Sequence, residues 1–269
     1  MKTISILGCG WYGLALGKKL AASGYTVKGS TTSPEKYPAL KESFIEPYLV
    51  SFQDKEENFD PAFFDSTTLI ICIPPKRSSA EQHTYLKKIA KIADAASGTS
   101  IENVIFISST SVYGDHNDKV DESSVPLPDT DSGKAILAAE NLLKEHSGFS
   151  TTVIRFGGLI GPDRNPGRFF AGKSDIPNGQ APVNLIHLSD CIGITLKILE
   201  NRAFGETFNA CSPEHPSRAV FYTDAARQSG MELPQFKDEL LSWKQVDSFM
   251  VNQKFNYNFE VKLNPLVIQ

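Results

Sequence analysis

Apolar residues along the chain come in short unbroken runs, and each run is followed by a stretch with helical spacing. ISIL at 4–7 precedes LALGKKLAASG, YTVKGST at 25–31 precedes PEKYPALKE, and LIICIP at 69–74 precedes a helix predicted over roughly Ser79 to Ala96. NVIFISS at 103–109 and TTVIRF at 151–156 continue the series, and SGKAILAAE at 132–140 opens a helix between them. Such alternation is the sequence signature of βαβ units. Strands that are apolar at nearly every position must be shielded on both faces, which suits a parallel sheet sandwiched between helices. The predicted fold class is α/β, a doubly wound parallel sheet. After Gly157 the texture changes: GGLIGPDRNPGRFFAGKSDIPNGQAP is rich in Gly, Pro, Asn and Asp and reads as long functional loops. One helix is expected from about Ser189 and another from about Ser217 to Gly230, and FNYNFEVKL at 255–263 alternates like a strand.

Composition narrows the classes. With 269 residues, 41% of them hydrophobic, the chain can bury one large core with a small annex. A net charge of −4 and the lack of any long Lys/Arg run argue against nucleic acid as a partner. Cys9, Cys72, Cys191 and Cys211 are too far apart for a CxxC redox pair or a zinc knuckle, so no metal is expected and a reducing cytoplasm is the simplest setting. The start, MKTISILGCG, is unlike a signal peptide, and no uncharged apolar run approaches the roughly 18 residues of a membrane span. The expectation is a cytoplasmic protein without a membrane partner.

Gly8, Gly10 and Gly13 form GxGxxG directly after the first strand and at the head of a helix, the context in which this pattern signals dinucleotide binding. The first glycine permits a tight turn, the second lets backbone approach a pyrophosphate, and the third lets helix and strand pack closely. Trp11 and Tyr12 stand at that turn. The fold class sharpens to a Rossmann fold that binds NAD(P), with residues 1–156 as the dinucleotide domain. Residues 157–269 are expected to add the last Rossmann elements and a small substrate-binding lobe. The second strand ends without the Asp or Glu that accepts from a ribose 2′-OH in NAD enzymes. Ser30, Thr31 and Thr32 offer donors there and Lys36 a cation, which favours NADP over NAD. A plainer reading of the same stretch is helix capping, with Ser33 before Pro34. Ile73 and Pro74, after the third strand, complete the expected cofactor contacts with Ser108.

The segment FISSTSVYGD at 106–115 resembles the signature of extended short-chain dehydrogenase/reductases, the group of NAD-dependent epimerases and dehydratases acting on nucleotide sugars. VIRFGGLIGPDRNPGRFF, VNLIHLSDCIGITL and ETFNACSPEHPSRAVFYTDAA look like later segments of that family in the same order, so the resemblance covers most of the chain. GxGxxG in place of the family's wider glycine spacing marks an atypical member. A resemblance to hydroxyacid or phosphogluconate dehydrogenases rests on the first 75 residues only. The epimerase likeness implies that Ser109, four residues before Tyr113, orients the reacting oxygen, with Thr110 and Ser111 beside the substrate. It also implies a small-molecule substrate, a nucleotide sugar being the candidate, and a second copy of the chain as partner.

The same likeness implies a Tyr and, four residues on, a Lys as the acid pair, commonly with a Glu four residues further. With Glu140 as that Glu, Ser132 and Ile136 stand in the two places. Lys134 lies roughly 200° around the helix from Ile136 and is expected in solvent, since Ile136, Ala139 and Leu143 form an apolar stripe. Ser132, aided by Asp131, is expected to cap the helix. Tyr113 is either a substitute proton carrier or a packed aromatic, and His187 either faces a substrate or satisfies a half-buried bond. His116 reads as a loop residue. Arg155, Arg164 and Arg168 are candidates to clamp a phosphate or carboxylate, Arg155 alternatively pairing with Glu140. Two functions follow from these residues: an oxidoreductase or isomerase with nonstandard proton chemistry, or a dinucleotide-binding sensor without catalysis.

Overall fold

The computed structural model describes residues 2–53, 56–75 and 79–263, so the last six residues of the predicted C-terminal segment lie outside the described residues. Seven strands form the main sheet: β1 Thr3–Leu7, β2 Thr26–Thr31, β3 Glu46–Leu49, β4 Thr68–Ile71, β5 Asn103–Ser109, β6 Ser150–Phe156 and β7 Thr207–Ala210. In these labels their order across the sheet is β7-β6-β5-β4-β1-β2-β3. This is the doubly wound order in which the chain moves outward from β1 in one direction, then returns and moves outward in the other. Ile6 sits level with Ile70 on one side and Gly29 on the other, in parallel register. Ile4, Ile6, Ile70, Ile71, Val104, Ile105 and Val153 are buried, which is the double-sided covering that their unbroken apolar runs demanded.

Helices α1 Trp11–Ala22, α2 Tyr37–Glu42, α3 Ser79–Ala96 and α4 Asp131–Glu145 follow strands β1, β2, β4 and β5, and α5 Leu188–Glu200 and α6 Arg218–Gln228 bracket β7. β3 is absent from the hydrophobic pattern: it is a four-residue edge strand with Pro47 inside it, and proline is tolerated at an edge because its missing N–H removes no ladder bond from a neighbour. FNYNFEVKL is not a strand. A short helix, α7 Phe249–Phe255, ends at Asn256 in the left-handed conformation (φ 44°), and the backbone N–H groups of Glu260 and Val261 donate to the buried Asp190 carboxylate at 2.7 and 3.3 Å. A side chain therefore meets the donors that a strand would have paired.

Lys28 is the one charge inside β2, and its burial is compensated locally. Its Nζ donates to the carbonyls of Ala62 (2.6 Å) and Asp65 (2.8 Å), the end of the turn Pro61–Phe64. The chain divides into two compact units, each discontinuous in sequence: Met1–Ser108 with Thr130–Ile154 and Ile198–Thr207, and Ser109–Asp129 with Arg155–Lys197 and Phe208–Gln269. Strands β5, β6 and β7 each begin in the first unit and end in the second. Among the described residues no helix is long and apolar enough to cross a membrane.

Burial sets a pH dependence on stability. His187 and His215 are both pushed below the ordinary value of 6.5, mainly by desolvation. The unfolded chain then takes up protons first as pH falls through 6.5, so these two groups lower stability progressively below that pH. Glu122 and Asp190, raised by burial, act in the opposite sense at lower pH, as the folded state protonates first. Urea unfolding at about pH 7 and about pH 5.5 should show a loss on acidification that is smaller in a His187→Gln/His215→Gln variant. An equal loss in both proteins would contradict the assignment.

Candidate functional site

The turn from β1 into α1 is built by three glycines with different tasks. Gly8 adopts φ 101°, a conformation that L side chains rarely enter. A Cβ on Gly13 would run into the Gly8 carbonyl oxygen, so only a bare Cα lets the first turn of α1 sit this close to β1. A Cβ on Gly10, in contrast, would meet nothing within 4 Å. Gly10 is the N-cap of α1; no side chain caps that helix and no acid stands in its first turn, so nothing anionic competes for its positive end. Ser30 fixes the turn from β2: its Oγ accepts from Gly8 N at 2.8 Å and its carbonyl accepts from Cys9 N at 3.1 Å.

The loop opens into a cavity of about 770 Å³ at the carboxyl ends of β1, β2 and β4. Gly8 and Gly10 form part of its wall, as do Ser30, Thr31 and Thr32 with Lys36, and Ile73 with Pro74 beyond β4. Trp11, Tyr12 and Gly13 do not border it; Tyr12 is buried and Gly13 serves packing. The hydroxyls at the tip of β2 also divide. Ser30 is buried and engaged with the glycine turn, and Thr31 is buried with its Oγ1 accepting from Ser33 N at 3.1 Å, which leaves Thr32 and Lys36 exposed. Ser33 stands at the N-cap with Pro34 following it, as the capping reading placed them, but its side chain makes no cap bond.

Sequence reasoning missed the rest of the wall: Val50 to Gln53 after β3, and Thr84, Tyr85, Lys87, Lys88 and Lys91 on α3. Spacings of four and seven put Thr84, Lys88 and Lys91 on one helix face, a signal available in sequence but meaningless until α3 is known to border the glycine loop. Tyr85 donates its hydroxyl to the Ile73 carbonyl at 3.0 Å and so holds the β4 exit in place. Among the described residues no Asp or Glu lines the cavity, while four lysines do. Cys9 lines it as a neutral thiol, pushed up to about 12 by burial.

Ser108 does not border the cavity. It is buried, and its hydroxyl donates to the Glu140 carboxylate at 2.5 Å, tying β5 to α4. Helix α4 is capped by Thr130, whose Oγ1 accepts from Gly133 N at 3.1 Å, and not by Ser132, which stands inside the first turn. Lys134 is an exposed surface residue 3.7 Å from Asp131. Ile136, Ala139, Glu140 and Leu143 are the buried face.

Within the second unit, Ser109 ends β5 and its Oγ accepts from Ser111 N at 3.1 Å; Thr110 is buried in the short turn that follows. Tyr113 is 1% exposed and its hydroxyl accepts from Arg155 Nη1 at 2.6 Å while facing the Asp121 carbonyl at 2.8 Å and Asn209 Oδ1 at 3.1 Å. Burial raises its pKa, and the Arg155 charge opposes that rise. Arg155 is buried with its guanidinium 5.0 Å from the Tyr113 ring centre, so these two residues form a packed polar pair. Proton transfer by Tyr113 and anion capture by Arg155 were the roles expected of them, and each is here bonded to the other. Arg164 and Arg168 are exposed on the loop after residue 160, and His187 Nδ1 accepts from Ser189 N at 3.2 Å. His116 contacts the Leu127 carbonyl at the surface.

A family profile described as NAD(P)H-binding matches residues 8–190. Over its full length the chain is 37% identical to Protein YeeZ of Escherichia coli K12, spanning 99% of that protein. It is 27% identical over 68% of its length to a protein of Bacillus subtilis 168 named as an uncharacterized UDP-glucose epimerase, YtcB, spanning 62% of it. Its fold is shared with the UDP-glucuronic acid 4-epimerase of Bacillus cereus in complex with NAD, at a TM-score of 0.79 and 19% identity, over 97% of this chain and 94% of that one. Another structure of that enzyme holds UDP-glucuronic acid together with NAD.

The glycine geometry yields a differential test. Gly13→Ala is expected to cost about 2–3 kcal/mol, because backbone must shift to admit the Cβ. Gly10→Ala is expected to leave chemical unfolding within about 0.5 kcal/mol of wild type. Equal losses in the two variants would mean that the third glycine does not carry the close approach.

Proposed function

Because the chain belongs to the NAD(P)H-binding family, we propose that it holds a dinucleotide in the glycine-loop cavity, that it prefers NADPH, and that it works without the Tyr–Lys acid pair. The open Cα of Gly10, standing at an uncapped helix end and bordering the cavity, is the observation that carries the first part. NADPH is favoured over NADH by Thr32 and Lys36, exposed at the tip of β2 where a carboxylate would repel a 2′-phosphate, and by a lining without Asp or Glu among the described residues. When bound, the cofactor would supply hydride exchange. The protein's part is to cradle the pyrophosphate, to fix the loop through Ser30 and to hold the β4 exit through Tyr85.

The third part rests on α4. Ser132 and Ile136, at the places the epimerase likeness gives to Tyr and Lys, bring neither a phenol nor an ammonium, and Lys134 points to solvent. Tyr113 does not substitute, because its hydroxyl is engaged by Arg155 and buried. Ser109 is the remaining hydroxyl: it accepts from Ser111 N, which leaves its own proton to donate to a ligand oxygen. On this reading Ser109 orients a carbonyl or hydroxyl of a small substrate, and a nucleotide sugar is the class to try first. Thr110 and Ser111 flank it, and Arg164, Arg168 and His187 are retained as substrate contacts. A cytoplasmic setting agrees with four free cysteines. A second copy of the chain is the proposed partner at the shallow groove between α3 and α4, lined by Leu86, Ala90 and Leu142.

A second reading, a dinucleotide sensor without catalysis, draws on the same bare α4. Calorimetry with NADPH and NADH, followed by turnover assays with UDP-glucose and UDP-glucuronic acid, separates the two. Binding that prefers NADPH is expected, weakened at least about tenfold by Gly10→Ala; failure to bind either dinucleotide would sink both readings. If a sugar nucleotide is turned over, Ser109→Ala should lower kcat by about 10- to 100-fold, and full activity in that variant would remove Ser109 from the mechanism. Binding without turnover of any offered substrate leaves the sensor.

A further inference from the structure

Among the described residues four lysines border the cavity, and they are not equivalent. Lys91 is committed to the fold: its Nζ donates to the Gln53 carbonyl at 2.9 Å and lies 3.1 Å from the Glu57 carboxylate, which braces α3 against the short hairpin of Ser51–Phe52 and Glu57–Asn58. Lys36 and Lys87 are exposed, where water and salt screen their charges. Lys88 differs from all three. It is half-buried, it lines the cavity, and among the described residues neither a hydrogen bond nor an ion pair engages it. Its side chain is partly buried against the cavity wall, and among the described residues no carboxylate lines that wall to take its charge, a place that an anionic ligand can fill.

We propose that Lys88 is a specificity-determining residue for the 2′-phosphate of NADPH, acting together with Thr32 and Lys36. The proposal rests on the reading that this cavity takes NADPH, and it adds a cation from α3 to the donors at the end of β2. A phosphate monoester approached by two lysines and a hydroxyl gains charge-assisted hydrogen bonds that the bare ribose of NADH lacks. Specificity then comes from a helix that follows β4, some fifty residues beyond the β2 tip where nicotinamide cofactors are ordinarily told apart.

The test is calorimetric titration of NADPH and NADH into the full-length protein, comparing wild type with Lys88→Met and Lys88→Gln, each checked for an unchanged thermal midpoint. Either variant should weaken NADPH about tenfold while altering NADH by less than about twofold. The salt dependence of NADPH binding should also become shallower, whereas Lys88→Arg should keep the preference. A wild type that prefers NADPH, with a preference fully retained in both neutral variants, overturns the role of Lys88 and leaves the NADPH reading intact. Equal weakening of both dinucleotides likewise overturns it, since a general effect on the cavity is not specificity. A wild type with no preference overturns the NADPH reading itself, and with it this assignment.

Discussion

The approach of the Gly13 Cα to the Gly8 carbonyl is the constraint on which the candidate site depends. Only without a Cβ at position 13 does α1 begin flush against β1, and only with Gly8 at φ 101° does the backbone turn sharply enough to enter it. Ser30 then locks the turn from the neighbouring strand. Given these contacts, the uncapped end of α1 and the carboxyl ends of β1, β2 and β4 border one cavity. The chain reverses direction across the sheet between β1 and β4, which is where open α/β sheets leave a crevice.

Polar groups that are buried or that border the cavity fall into two sets. One set is saturated by the protein itself: Lys28 on two carbonyls, Ser108 on Glu140, Asp190 on the backbone of 260 and 261, and Tyr113 with Arg155. Their bonding is what makes their burial tolerable, and it takes them out of consideration for chemistry. The other set borders the cavity and includes Thr32, Lys36 and Lys88. Residue types alone do not separate the sets. Lys28 and Lys88 are the same residue, one bonded into the fold and the other lining a cavity.

Helix α4 is placed by its cap and by its packing. It follows β5, it carries Glu140 as a buried tie to the strand, and its apolar face packs as its spacing requires. Those features serve the fold and persist with Ser and Ile at positions 132 and 136. Lys134 lies on the opposite, exposed side, 3.7 Å from Asp131.

The sequence by itself determined the parallel sheet, the glycine loop and the exposure of Lys134, because each follows from local periodicity or from a property of glycine within a few residues. FNYNFEVKL misled for the converse reason: its alternation was genuine, but Asp190, distant in sequence, met its backbone donors. Edge strand β3 was too short to register as a pattern and is defined by pairing with β2. Ser30, Ser108, Tyr113 and Arg155 looked like ligand contacts in the sequence, and tertiary structure turned each into an internal bond. The α3 lysines carried no reading in the sequence, and tertiary structure brought them to the cavity. Hydrogen-bond partners and the desolvation of charges are decided by residues far apart in the chain, so they become readable only when the fold has closed.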